Sequence, residues 1–299
     1  MTAAQGTRLG VLKTYKLYIG GKFPRSESGR VYEVTTAASA AGAAGPDGWP
    51  ANAPLASRKD ARDAVVAARK AFGGWSGATA YNRGQVLYRI AEMLEGRREQ
   101  FAAEVAAAEG LARDEALART DAAIDRWVWY AGWSDKVAQI AGSANPVAGP
   151  YFNLSTPEPT GVVAVLAPQR CSLLGLVSVL APVLVTGNTA VVVASREAPL
   201  PALSLAEVLA TSDVPGGVVN VLSGDTGELA RPLAAHQDVD AVDLAGAEGE
   251  LARELEELAA GNLKRVVRGD GEEDWGAEPG TGRLLAFVET KTVWHPMGF

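Results

Sequence analysis

Two short valine-rich runs frame a longer apolar block near the middle of the chain. Residues 162–166 are uniformly apolar, opened by Gly161 and closed by Pro168. Residues 191–193 form a second such run, entered through Gly187, Asn188 and Thr189. Short β-branched runs bounded by turn residues have the pattern of parallel strands buried on both faces. Residues 173–185 between them are too many for a strand and carry the leucine of a buried helix. Strand, helix and strand in so short a span predict a βαβ unit. The alternation continues with helices over 203–209, 227–236 and 248–260, and strands over 218–222, 239–244 and 263–267. Five strands alternating with helices predict an α/β fold with a doubly wound parallel sheet.

Upstream, helical spacing prevails. Ser57 with Asp60 three residues on marks an N-cap, and Ala61, Val65, Ala68 and Phe72 follow on one face. Leu87, Ile90, Leu94, Phe101, Val105 and Ala108 suit a second helix. Gly110 separates it from a third over 114–133, which carries Ile124, Trp127, Val128 and Ala131. The tryptophans of 127–133 could form a ligand cage, but their spacing favours a packed helical face. Residues 15–34 read as a hairpin, 35–56 as a loose connection, and 151–155 as a strand within a stretch lacking helical period. Residues 268–282 are polar and glycine-rich, and the run after them is rich in β-formers.

Composition removes several function classes. At 299 residues the chain suits one large domain or two ordinary ones. A net charge of -7, with no basic cluster, argues against a nucleic-acid groove. A single cysteine excludes a disulfide framework, and His236 and His295 do not make a metal cluster. The start has no apolar leader, and the longest apolar run, which contains Pro182, is below spanning length. No membrane partner and a cytoplasmic location are the expectations. Cys171 lies beside Arg170, whose charge would lower its pKa. A reactive thiol and a small residue packed at a strand–helix turn both remain open.

The order Pro159, Gly161, Val162, then Pro168, then Ala181, Pro182, Gly187, Asn188, Thr189, then Ser195, Pro199 and Leu200 resembles the aldehyde dehydrogenase superfamily. That family carries P-x-G-V-V, P-W-N-F-P, A-P-A-L-A-x-G-N-T and V-x-K-P-S-E in the same sequence. The opening Leu17-Tyr18-Ile19-Gly20-Gly21, the Tyr130-Ala131-Gly132-Trp133 string and residues 283–294 are similar to it as well. The resemblance implies a Rossmann-like sheet with N-terminal helices and a small β oligomerisation flap. It divides the chain into a Rossmann-type part, 1–136 with 160–270, and a flap, 137–159 with 283–299. A linker, 271–282, then stands where the family has its catalytic domain.

The same resemblance implies a degenerate site. Arg170 stands at the family's oxyanion asparagine, and Val193, Ser195 and Arg196 match K-P-S-E with its lysine and glutamate gone. At the dinucleotide turn stand Gly246, Glu248 and Gly249, with Glu248 and Glu250 as acids in the first helical turn that compete with a phosphate. Gly269 replaces the general base. No catalytic residue and no bound cofactor are therefore expected, only a vestigial NAD(P) site. The implied protein is similar to the non-catalytic second half of two-domain aldehyde dehydrogenases. It would pair with a catalytic aldehyde dehydrogenase subunit, with itself, or with both, through Tyr151, Phe152, Leu154, Leu285, Phe287, Val288, Val293 and Trp294. The C-terminal run would join another chain's sheet, or else fold back on its own hairpin. A nucleotide-binding regulator and a weak aldehyde oxidoreductase using Cys171 are the alternatives.

Overall fold

The computed structural model describes residues 13–35, 51–269 and 273–298. The chain's first residues, most of the expected loose connection (36–50) and the start of the linker (270–272) lie outside them. The centre is a five-stranded parallel sheet of β5 (Val162–Leu166), β6 (Thr189–Val193), β7 (Val219–Leu222), β8 (Ala241–Leu244) and β9 (Arg265–Arg268). Its order is β7-β6-β5-β8-β9, so the winding reverses between β5 and β8. Every residue of β5 and β6 is buried. Val163, Val165 and Val192 face one apolar layer, and Val162, Ala164, Leu166, Val191 and Val193 the other. Helices cover both faces, which is why these strands are apolar throughout rather than alternating.

Helix α1 (Arg58–Ser76) begins with the expected Ser57–Asp60 capping box. The expected second helix is two, α2 (Ala80–Glu95) and α3 (Arg98–Glu109), divided at Gly96 and Arg97. Gly110 ends α3 in a left-handed conformation. Helix α4 (Arg113–Trp133) buries Trp127 and Tyr130, so the tryptophan-rich string is a packing face. A short α5 (Val137–Ala141) follows. The apolar block forms α6 (Leu174–Val185), whose last carbonyls accept from Trp75 Nε1 at 3.0 Å and Arg83 Nε at 3.0 Å. Helices α7 (Leu200–Ala210), α8 (Thr226–Ala235) and α9 (Gly249–Ala259) complete the alternation. No helix among the described residues is long and apolar enough to cross a membrane.

Two expectations about strands need correction. Residues 15–34 are not one hairpin. Tyr18 bridges Val221 and Ile19 bridges Lys22 around a Gly20-Gly21 turn, while β1 (Val31–Val34) pairs with β2 (Ala51–Pro54). The Gly21 backbone approaches Gly216 so closely that a Cβ there would sit 2.9 Å from its Cα. The turn residues thus dock on the sheet instead of closing a local ribbon. The C-terminal run is also not wholly a strand. Residues Gly282–Ala286 form the short α10, and β10 spans Val288–Pro296.

β10 pairs antiparallel with β4 (Tyr151–Pro159) of the same chain over its full length, with β3 (Ser143–Asn145) on the far side of β4. The expectation that this run completes another chain's sheet is therefore corrected: the hairpin's own edge satisfies it. Phe287, expected to serve assembly, is 1% exposed within the core beside Leu284, and Leu285 is half-buried. Both lie in or beside the helical turn that delivers β10 to its partner.

Asn188 fixes that delivery. Its Oδ1 accepts from Gly161 N at 2.8 Å, while its Nδ2 donates to Thr186 Oγ1 and to Phe287 O, both at 2.9 Å. Replacing Phe287 with alanine should destabilise the protein by about 3–5 kcal/mol, because the emptied site lies between packed helices. Val293→Ala on the exposed flap should stay within about 0.5 kcal/mol. Urea unfolding of the two variants checks both figures.

Candidate functional site

In open α/β sheets ligands bind where loops leave the carboxyl ends of strands at the reversal of winding, here between β5 and β8. The loops after β5, β6 and β8 meet there around one side chain, Gln169. Its Nε2 donates to Ala167 O at 3.0 Å and reaches Gly246 O at 3.5 Å. Its Oε1 accepts from Arg196 N at 2.9 Å, and its main-chain carbonyl accepts from Ser195 Oγ at 2.8 Å. Ser195 Oγ in turn accepts from Ala198 N at 3.0 Å. A Cβ on Gly246 would lie 2.1 Å from Ala167 O, so only glycine permits the two loops to touch.

The expected site residues separate into two groups around this staple. Ser195, Arg196 and Gly246 belong to it. Val193 lies within β6, wholly buried. Arg196 turns its guanidinium onto the Tyr32 ring at 3.9 Å, towards the N-terminal strands, and its buried Nη1 has no hydrogen-bond partner among the described residues. Arg170, Glu248 and Gly249 are exposed. Glu248 occupies the cap position of α9 but makes no side-chain capping bond there, so the expected competition by a seated carboxylate is reduced to its charge. Gly249 enters the helix at a φ of 57°, where a side chain would strain the backbone.

Cys171 is not poised to react. Its thiol accepts from Gly175 N at 3.2 Å, and burial together with the nearby Glu109 carboxylate pushes its pKa up to about 11. The expectation that Arg170 would activate it fails because Arg170 points into solvent while the thiol is buried. Glu109, which the sequence reading passed over, holds this loop. Its Oε1 accepts from Ser172 N at 2.7 Å and Oγ at 2.6 Å, and its Oε2 pairs with Arg119 at 2.6 Å. Among the described residues no group of three His, Cys, Asp or Glu side chains could hold a metal ion.

A second polar cluster, equally silent in the sequence, lies under the sheet. Asp243, fully buried within β8, pairs with Arg283 at 2.9 Å and accepts from Ala245 N at 3.0 Å. Arg283 also pairs with Glu273 at 2.6 Å and covers the Trp275 ring at 5.1 Å. Arg126 of α4 donates to Ser178 Oγ at 2.7 Å and to the carbonyls of Trp275 and Ala277, each at 2.9 Å. These bonds pin residues 273–283 against the helical layer. Burial raises the Asp243 carboxyl to about 6 in spite of Arg283.

Comparison with known proteins gives a consistent result. Residues 48–271 match the sequence model of the aldehyde dehydrogenase family. The chain is 32% identical over 257 residues to aldehyde dehydrogenase, cytosolic 1, of Elephantulus edwardii, a match covering 84% of this chain and 49% of that protein. It is 32% identical over 259 residues to the cytosolic 10-formyltetrahydrofolate dehydrogenase of Pongo abelii, covering 84% and 28% respectively. The NAD+ complex of an aldehyde dehydrogenase from Bacillus cereus superposes with a TM-score of 0.77 at 27% identity, over 86% of this chain and 50% of that one. The chain thus spans about half, or less, of the length of these relatives.

Because the folded-state pKa of Asp243 lies above its unfolded value, its contribution to stability is full at low pH and is lost as pH rises through about 6. Glu104 is shifted in the same direction by burial. The protein should therefore gain about 1 to 1.5 kcal/mol on going from about pH 7.5 to pH 5. Asp243→Asn should remove most of that slope, and denaturant midpoints at the two pH values provide the check. For Cys171, native protein at neutral pH should react with a thiol reagent only as fast as it opens, and denatured protein at once.

Proposed function

Since this chain belongs to the aldehyde dehydrogenase family, we propose that it is a non-catalytic member that acts by assembly, with a catalytic NAD(P)-dependent subunit or with copies of itself. The observation carrying this reading is the Gln169 staple. A dinucleotide needs an open crevice between the loops after β5 and β8, and here those loops touch at Ala167 and Gly246 and are joined by Gln169 Nε2 reaching Gly246 O at 3.5 Å, while Gln169 also ties the first loop to the one after β6. The residues present do not fit NAD(P): Arg196 turns to Tyr32, Val193 is sealed in a strand, and acids flank the start of α9. A nucleophilic role for Cys171 is disfavoured by its burial and its raised pKa.

The flap supports assembly. Phe152, Leu154 and Val293 share one of its faces by register, while Tyr151 and Trp294 meet edge-on at 5.8 Å on the other. All five are substantially exposed, Val293 at 47% and Trp294 at 58%. Apolar side chains left exposed on a small sheet with an open outer edge are what a partner chain would cover. Because the C-terminal run is already paired with β4, a partner would meet the flap's faces or the outer edge of β10.

Light scattering should give a mass above that of one chain, falling to one chain in Phe152→Lys/Val293→Lys with unchanged circular dichroism. A single-chain mass for the intact protein, with no dehydrogenase subunit co-purifying, would sink the assembly reading. Calorimetry should show no saturable NAD or NADP binding tighter than about 1 mM, and aldehyde turnover should be at background. Micromolar binding would instead favour a nucleotide-binding regulator, and turnover abolished by Cys171→Ser would favour an enzyme.

A further inference from the structure

Strand β10 has two edges, and the chain itself uses one of them. Phe287 O accepts from Thr160 N at 3.2 Å just before the strand, and Met297 N donates to Pro150 O at 2.8 Å just after it. Bonded and non-bonded pairs alternate along an antiparallel ladder, so these two bonds fix its phase. Glu289, Lys291, Val293 and His295 turn their backbone groups towards β4. Val288, Thr290, Thr292 and Trp294 turn theirs to the other side, joined there by the Pro296 carbonyl. The prolines of β4 obey the same phase. Pro157 and Pro159 lie opposite Thr290 and Val288, where β10 asks for no donor.

Among the described residues no strand lies beyond β10, and every residue from Glu289 to Pro296 is exposed. The edge runs unbroken for 9 residues, with its one proline at the very end. Its lysine, Lys291, is already paired with Glu158 at 3.0 Å. Bulges, mid-strand prolines and free lysines are what blunt such an edge, and this one has none of them.

The side chains decide which strand can add to it. A second β10, antiparallel about a twofold axis at Thr292, overlaps the first from Val288 to Pro296. Glu289 of one copy then faces His295 of the other, Thr290 faces Trp294, Lys291 faces Val293, and the two Thr292 face each other. No like charges are directly opposed. An axis at Glu289 or Lys291 sets each against its own copy, and one at Val293 opposes Lys291 to His295. An axis at Thr290 drives the second strand past Phe287 into α10, and one at Trp294 shortens the overlap.

We propose that two copies of the chain pair through the outer edges of β10, antiparallel about Thr292. The two flaps then form one continuous sheet in the order β3-β4-β10-β10-β4-β3. This rests on the assembly reading and deepens it, naming a second copy of the chain as the partner at the edge.

Thr290→Pro tests the contact, because it removes an outward N–H and leaves every bond to β4 in place. Light scattering should give the mass of two chains for the intact protein and of one chain for the variant, with unchanged circular dichroism. A second test does not depend on a proline being tolerated. Lys291 and Val293 of opposite copies form a non-bonded pair with Cα atoms about 4.5 Å apart, within disulfide reach. Two copies of Lys291, or of Val293, lie on a diagonal beyond that reach. A mixture of Lys291→Cys and Val293→Cys proteins should therefore oxidise to a covalent dimer about tenfold faster than either alone. Cys171 is buried and does not compete. An assembly whose mass Thr290→Pro leaves unchanged overturns the edge pairing, while assembly through the flap's faces stands. A single-chain mass for the intact protein overturns it too, and co-purification of a dehydrogenase subunit then decides the assembly reading separately. Cross-linking of the mixture no faster than of the single variants overturns the pairing about Thr292.

Discussion

The buried amide of Asn188 is the point on which the sheet and the flap depend together. It sits where α6 turns into β6, at the amino end of the sheet, with no access to water. Each of its polar atoms is used: towards Gly161 before β5, towards Thr186 in its own turn, and towards Phe287 ahead of β10. An apolar residue there would leave the buried Gly161 N–H unpaired, a loss of order 1–3 kcal/mol, and the Phe287 carbonyl with only the Thr160 N–H. Because one side chain ties all three segments, the start of β10 is fixed relative to β5, while Ser155 with Thr292 and Glu158 with Lys291 pair across the flap itself.

At the opposite edge of the sheet the loops are drawn together rather than held apart. Gln169 is a long neutral amide with a donor and an acceptor at its tip, and it spans loops that a ligand-binding version of this fold leaves open. The same tendency to close upon itself appears beneath the sheet. Arg126, Asp243, Glu273 and Arg283 convert a polar, glycine-rich segment into a fixed cover over α4 and α6. Burial of such a pair is not in itself stabilising, and removing one partner leaves an uncompensated charge. Its role is positional: it holds Trp275 and Leu284 where they extend the core.

The sheet was legible because its determinants are local. Val162–Leu166, Leu174–Val185 and Thr189–Val193 announce themselves by length, β-branching and the turn at Gly187. The pairing of β1 with β2 was not, since Ala51–Pro54 lacks β-branched residues and owes its conformation to packing. The same holds for Leu284 to Phe287, whose apolar content suited a strand until the core claimed Leu284 and Phe287 at helical spacing. At the site, the resemblance alone pointed to Val193 and Arg196 as positions where a lysine and a glutamate are replaced. What took their place could not be read from it. Gln169, Glu109 and Asp243 act on partners far away in sequence, through single hydrogen bonds that leave no periodic trace.

The pairing of β4 with β10 also has a consequence in time. Pro159 and Val288 are neighbours in space, yet the entire five-stranded sheet lies between them along the chain. During synthesis β4 emerges early and must wait, with the backbone edge that β10 will pair left open, until every later strand has left the ribosome. Nascent chains crowded on one message would therefore hold many open β4 edges and no β10 to close them. Slow elongation should trap such chains as dimers through β4, so the yield of folded protein is governed by translation rate as well as by the stability of the finished molecule.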